Sequence, residues 1–291
     1  PFPTSPSAMF FPENRCVAEH TRGSVRVVRV KDRLWIFAVE QACDDTYYNI
    51  PITRVTPVEG AYYLGVERLA MIVSREGPYP PLEPYLRIMR PLKEVVWSIV
   101  DSGGVTGWAQ GKELDMLCDL ACRFPNITGI FMDDFFNGKP EDGYAVHSIE
   151  KLTRIREKLV LPHRTLDLWA VLYRHQLDLP VIEHLNMCDV VSFWEWWGRE
   201  LPHLETNLEK LERLVPDKRR SLGIYLWDYG DRAPMPLDLM QHQCRLGLEW
   251  LKSGRIDSMM FLTNYLLDQD FEAVEWTREW IAEVGDEVLA S

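Results

Sequence analysis

Eight short apolar runs punctuate this 291-residue chain, and each is followed by residues whose apolar members fall at helical spacing. The runs are RLWIFAVEQ (33–41), LAMIVSR (69–75), VVWSIVDS (95–102), TGIFMDDFF (128–136), LDLWAVLYR (166–174), DVVSFWEWW (189–197), SLGIYLWDY (221–229) and DSMMFLTN (257–264). A continuous apolar run of this length reads as a strand buried on both faces, the condition of a parallel sheet covered by helices. Between the runs, Leu114, Leu117, Ala121 and Phe124 share one helix face. So do Ile149, Leu152, Ile155 and Leu159, and then Leu201, Leu204, Leu208, Leu211 and Val215.

Eight strand–helix alternations in a chain near the ~250 residues typical of the class predict an α/β protein, a single (β/α)8 TIM barrel over residues 1–291. No GxGxxG follows any strand and no P-loop occurs, so a doubly wound nucleotide-binding sheet is disfavoured. Residues 1–24 are proline-rich and read as a short irregular N-terminal lead-in, and VRVVRV (25–30) alternates like a half-exposed strand.

Composition narrows the partners. A formal net charge of −12 disfavours nucleic acid and anionic membrane surfaces, which need basic patches, and leaves neutral or cationic small ligands. No apolar run is long enough to span a bilayer. The six cysteines form neither a CxxC nor a zinc-spaced cluster, which points to a reducing, cytoplasmic setting. The chain opens on Pro1, which leaves a removed leader open. Cys118 and Cys122, one helical turn apart, read as core thiols. The 11 Trp and 11 Tyr fill cores but also make flat platforms on which sugars stack.

Barrel enzymes act at the carboxyl ends of their strands. Here those ends carry Glu40, Asp101, Asp133, Asp134, Tyr173, His175, Trp194, Glu195, Trp197, Trp227, Asp228 and Asn264, a polar and aromatic ring. Two adjacent acids closing the fourth run are hard to explain unless that exit faces a ligand. Carboxylates paired across a cleft divide the work of acid and base, or acid and nucleophile, in glycosidic cleavage. Asp134, with Asp133 beside it, and Glu195 on the sixth run are the expected catalytic pair. Glu195 sits among Trp194, Trp196 and Trp197, an apolar setting that raises a carboxyl pKa and suits a proton donor. Its structural alternative is an ion pair with Arg199 or with an arginine of a neighbouring strand. The remaining residues of the ring are expected to bind a saccharide substrate, without cofactor or metal. A metal-dependent sugar isomerase or epimerase, using Glu40, Asp134, His175, Glu195 and Asp228 as donors, is the second reading. A saccharide-binding barrel without catalysis is the third.

An acid at the exit of strand four, a second acid at strand six and aromatic rims together resemble the TIM-barrel glycoside hydrolases. The likeness is one of layout over the whole barrel. It implies Asp133 or Asp134 and Glu195 as working acids. The chain lacks the DxxDxDxE of chitinase-like barrels. It also lacks the Asn-Glu at strand four and the Glu at strand seven of the largest glycosidase clan, since strand seven ends in Trp227-Asp228.

Overall fold

The structure, a computed structural model, describes residues 27–40, 47–75, 77–136, 139–140 and 143–290. Eight strands follow the apolar runs closely: β1 (Leu34–Val39), β2 (Arg68–Ile72), β3 (Glu94–Val100), β4 (Ile127–Met132), β5 (Asp167–Tyr173), β6 (Val190–Trp194), β7 (Arg219–Tyr225) and β8 (Ser258–Leu262). Every neighbouring pair is parallel, and β1 pairs with both β2 and β8, so the sheet closes on itself. The helices between them are α1 (Pro57–Leu64), α2 (Glu83–Ile88), α3 (Glu113–Ala121), α4 (Ile149–Lys158), α5 (Ile182–Asn186), α6 (Leu204–Leu214), α7 (Leu237–Ser253) and α8 (Glu272–Val284). This is the (β/α)8 barrel.

Helix starts follow local chemistry. Thr56 caps α1 by accepting from the Glu59 amide, while the Glu59 carboxylate accepts from the Thr56 amide. Pro57 then opens the first turn, where its missing N–H costs nothing. Ser148 accepts from the Lys151 amide to start α4.

The barrel interior is unusually aromatic. Trp35 lies 5.2 Å from Trp169 between ring centroids, Phe37 lies 6.1 Å from Phe131, and Phe37 lies 5.7 Å from Trp194. Such rings need room, and glycine supplies it on the neighbouring strands. A Cβ at Gly223 would fall 2.0 Å from the Trp194 ring, and one at Gly129 would meet the Asp167 carbonyl at 2.8 Å and the Trp169 indole at 3.1 Å. Alternation along each strand then fixes the register: Phe131 and Trp194 point inward, so Asp133 points inward at the end of β4 and Glu195 points away at the end of β6.

Three expectations are corrected or fall outside the described residues. Of residues 25–30 only 27–30 are described, and they do not form a strand. Val30–Arg33 is a 3-10 turn whose Val30 amide donates to the Glu287 carbonyl at 2.9 Å, so this segment is held at the foot of the barrel by the C-terminal residues. The irregular lead-in, 1–24, lies outside the described residues. Cys118 is only partly buried and Cys122 is exposed, because the core stripe of α3 runs through Leu117, Leu120 and Ala121.

Candidate active site

A cavity of about 590 Å³ opens at the carboxyl ends of the strands, and every strand or the loop after it contributes to its lining. Phe37 of β1 and Trp194 of β6 form the floor, continuous with the aromatic interior below. Asp133 and Asp134 enter from β4, Tyr173 from β5 and Tyr225 from β7. Tyr47, Tyr48, Trp196, Tyr229 and Tyr265 come from the loops. Ser74, Arg75, Ser102 and Gly103 complete the circle beyond β2 and β3.

Neighbouring residues of an extended strand face opposite ways, yet both aspartates line this cavity. The backbone resolves the conflict. Asp134 has φ +44°, in the left-handed region that a residue other than glycine seldom adopts, and with this turn it lines the same cavity as Asp133. Strain of this kind concentrates at sites of function.

The two carboxyls sit in different surroundings. Asp133 is 4% exposed, and no cation pairs with it among the described residues. Burial pushes its carboxyl well above the ordinary carboxylate range, and the charges of Asp134 and Asp101 push the same way against one backbone N–H from Asp134. Burial raises Asp134 too. Against that, the Tyr173 hydroxyl donates to Asp134 Oδ1 at 2.7 Å, the Gly103 amide donates as well, and His175 adds positive character. Both carboxyls are thus raised by burial, Asp133 well above its ordinary range and Asp134 against the pull of its two hydrogen-bond donors. Burial also raises the Tyr173 and Tyr225 phenols well above the ordinary phenol range, so both keep their protons.

Of the residues expected at the site, Asp133, Asp134, Tyr173 and Trp194 line the cavity. Glu195 does not. Its buried carboxylate meets Arg174, at the end of β5, at 3.1 Å and accepts from the Trp197 amide at 3.4 Å, which is the ion-pair alternative realised with a neighbouring strand. Asp101 stands behind the wall, accepting from the Val105 amide at 2.8 Å, and burial raises its pKa ahead of the Asp134 charge. His175 is exposed and stacks on the Tyr173 ring at 5.6 Å. Asp228 accepts from the Gly198 and Asp231 amides, both at 3.0 Å, and so pins the loops after β6 and β7. Asn264 is fully buried and bridges to β1, accepting from the Val39 amide at 3.0 Å and donating to the Val55 carbonyl at 2.8 Å. Trp227 packs on Phe271 at 5.1 Å. Trp197 lies over Gly230, with the Arg199 guanidinium 5.5 Å from its ring. Glu40 follows Val39 but, unlike it, does not line the cavity.

Trp196 and Tyr229, aromatic residues at strand exits in the sequence, do line the cavity, whereas Tyr48 and Tyr225 are the principal lining residues that sequence reasoning left out. Trp196 and Tyr225 carried a usable signal, since each lies two residues after an inward-facing position, Trp194 and Gly223. Among the described residues, no group of three or more His, Cys, Asp and Glu side chains is arranged to hold a metal ion. The donors of the isomerase reading are dispersed: Glu195 is on Arg174, and Asp228 is on backbone amides. No helix among the described residues is long and apolar enough to cross a membrane.

No family model matches the chain, and no curated protein matches its sequence. Solved structures do match its fold. A candidate alpha-L-fucosidase from Bacteroides thetaiotaomicron superimposes with a TM-score of 0.55 at 12% identity, over 93% of this chain and 100% of that one. The catalytic domain of a hyperthermophilic chitinase from Pyrococcus furiosus gives 0.56 at 12% identity, over 90% and 99%. A xylanase-alpha-amylase inhibitor protein, solved in complex with trehalose, gives 0.52 at 13% identity, over 87% and 98%. These likenesses establish that the chain has the TIM-barrel fold.

Proposed function

We propose that the protein is a carbohydrate-active enzyme, a glycoside hydrolase whose working carboxylates are the adjacent Asp133 and Asp134. The observation that carries this reading is their placement: two acids line one cavity at the strand ends, Asp133 buried and without a cationic partner among the described residues, Asp134 held by Tyr173 and Gly103. Asp133 delivers its proton to the glycosidic oxygen as the bond to the sugar breaks. Asp134, steadied by its donors, opposes the positive charge developing on the sugar ring, or takes a proton from the attacking water. The aromatic lining supplies flat faces for the apolar side of a sugar. Glu195, expected from its neighbours to be the acid, serves in this reading as the partner of Arg174 and supports the β5–β6 rim.

The fold neighbours include catalytic domains that cleave saccharides and an inhibitor protein bound to trehalose, so the sugar class is favoured and cleavage is the point to test. A panel of aryl glycosides and oligosaccharides incubated with the wild-type protein should include one that releases product, and Asp133→Asn should abolish that release. Saccharide binding without release from any member of the panel would favour the non-catalytic reading.

A further inference from the structure

Among the described residues, the cavity lining is aromatic on one side and made of small or flexible residues on the other. Round the barrel, the strands run β5, β6, β7, β8, β1 along one half of the mouth. An unbroken chain of ring contacts follows that half. Tyr173 lies 5.9 Å from Trp196, Trp196 lies 5.5 Å from Tyr229, and Tyr229 lies 5.0 Å from Tyr48. Tyr48, although carried by the loop after β1, also reaches Trp196 of the β6 loop at 5.9 Å, spanning two strands. Ring-to-ring contact of this kind leaves no gap through which a polymer could pass. On the other half, beyond β2 and β3, the lining is Ser74, Arg75, Ser102 and Gly103, small or flexible residues of which the last three are exposed. Below, Phe37 and Trp194 close the barrel axis. The described cavity is therefore a pit with one low rim.

A saccharide bound by its interior needs two openings on opposite sides. A pit has room for an end. The groups that would steady the charged sugar ring, Asp134 and its tyrosine, lie inside the pit, so the residue that enters must be the one whose anomeric carbon is attacked. That is the non-reducing terminal residue. We propose that the site is exo-acting: it takes one non-reducing terminal sugar, apolar face against the Trp196–Tyr229–Tyr48 wall, while the rest of the saccharide leaves over the rim at Ser74, Arg75, Ser102 and Gly103. This rests on the saccharide reading given above and adds the mode of attack. The glycosidic C–O bond breaks, Asp133 gives its proton to the departing oxygen, and water adds to the anomeric carbon and returns a proton to the acid pair.

Reducing-end-labelled hexasaccharides of the gluco, xylo, manno and N-acetylglucosamine series, together with fucosylated chains, separate the outcomes when incubated with the wild-type protein. The expected result is loss of one residue at a time, with the labelled pentasaccharide appearing first and no turnover when the non-reducing end is chemically capped. Early labelled di- and trisaccharides, or equal cleavage of capped chains, would overturn exo action while leaving the hydrolase reading intact. If no chain is cleaved, indole fluorescence titration decides. Binding that capping abolishes supports the pit, and binding indifferent to capping overturns it. Neither cleavage nor binding with any chain would overturn the saccharide reading beneath it.

Discussion

The Tyr173 hydroxyl donates to Asp134 Oδ1 at 2.7 Å, and it does so across the β4–β5 junction from a phenol that burial keeps protonated. This bond is one of the influences, with the Gly103 amide and His175, that oppose the upward push of burial on Asp134. Removing it with Tyr173→Phe should raise the Asp134 pKa, because a donor to the charged form is lost. The acid limb of the pH–rate profile should move to higher pH, and activity near neutrality should fall roughly 10- to 100-fold, the span of a hydrogen bond to a charged group. A profile recorded from pH 4 to 9 checks this. An unmoved acid limb would show that Tyr173 acts on the sugar alone.

Asp133 has a consequence for stability. Its pKa is higher in the folded protein than in the unfolded chain, so the folded state binds its proton more tightly. The contribution to stability is full below the ordinary carboxylate range and is lost as pH rises through the raised value. Asp133→Asn removes the charge that must be buried. Its melting temperature should match wild type near pH 4 and exceed it by roughly 2–8 °C at pH 8, a gain made at the cost of function. Scanning calorimetry across that range checks the sign.

The aromatic residues divide by position rather than by type. Trp196→Ala removes a wall ring and should raise KM about 3- to 12-fold with kcat little changed, as expected for binding shared by ground and transition states. Trp227→Ala removes a buried ring packed on Phe271 and should leave KM alone while costing about 3–5 kcal/mol of stability. Steady-state kinetics and thermal unfolding on the two variants distinguish the roles.

The barrel was legible because each strand is a bounded apolar run and the helices between are patterned at 3.6, so local signals and global fold agree. The part of the cavity lining that β4 and β5 supply was legible too, since Asp133, Asp134 and Tyr173 stand where the runs stop. Residues past the exits were harder to place. Strand alternation continues for only a residue or two, and beyond it loops decide the facing. Glu195 is the clearest case. Burial does raise its carboxyl, as the flanking tryptophans suggested, but it is one position out of phase with Trp194, lies outside the cavity lining and meets Arg174. The Asp134 backbone at φ +44° worked the other way, turning into the site a side chain that alternation would have sent outside. Asp228 and Asn264, polar side chains at strand exits, are spent on backbone amides and carbonyls that hold the loops. That use of a polar side chain looks identical in sequence to ligand binding.

The central claim, that the paired acids of β4 carry the chemistry and the acid of β6 supports the rim, is tested most directly by comparing Asp133→Asn with Glu195→Gln. Both should first be confirmed as folded, and turnover then measured on the same unactivated saccharide. The account predicts a loss of about 10²–10⁴-fold in Asp133→Asn, the usual span of general acid catalysis, and turnover within a few-fold of wild type in Glu195→Gln. Near-wild-type turnover in Asp133→Asn with a collapse in Glu195→Gln would contradict it.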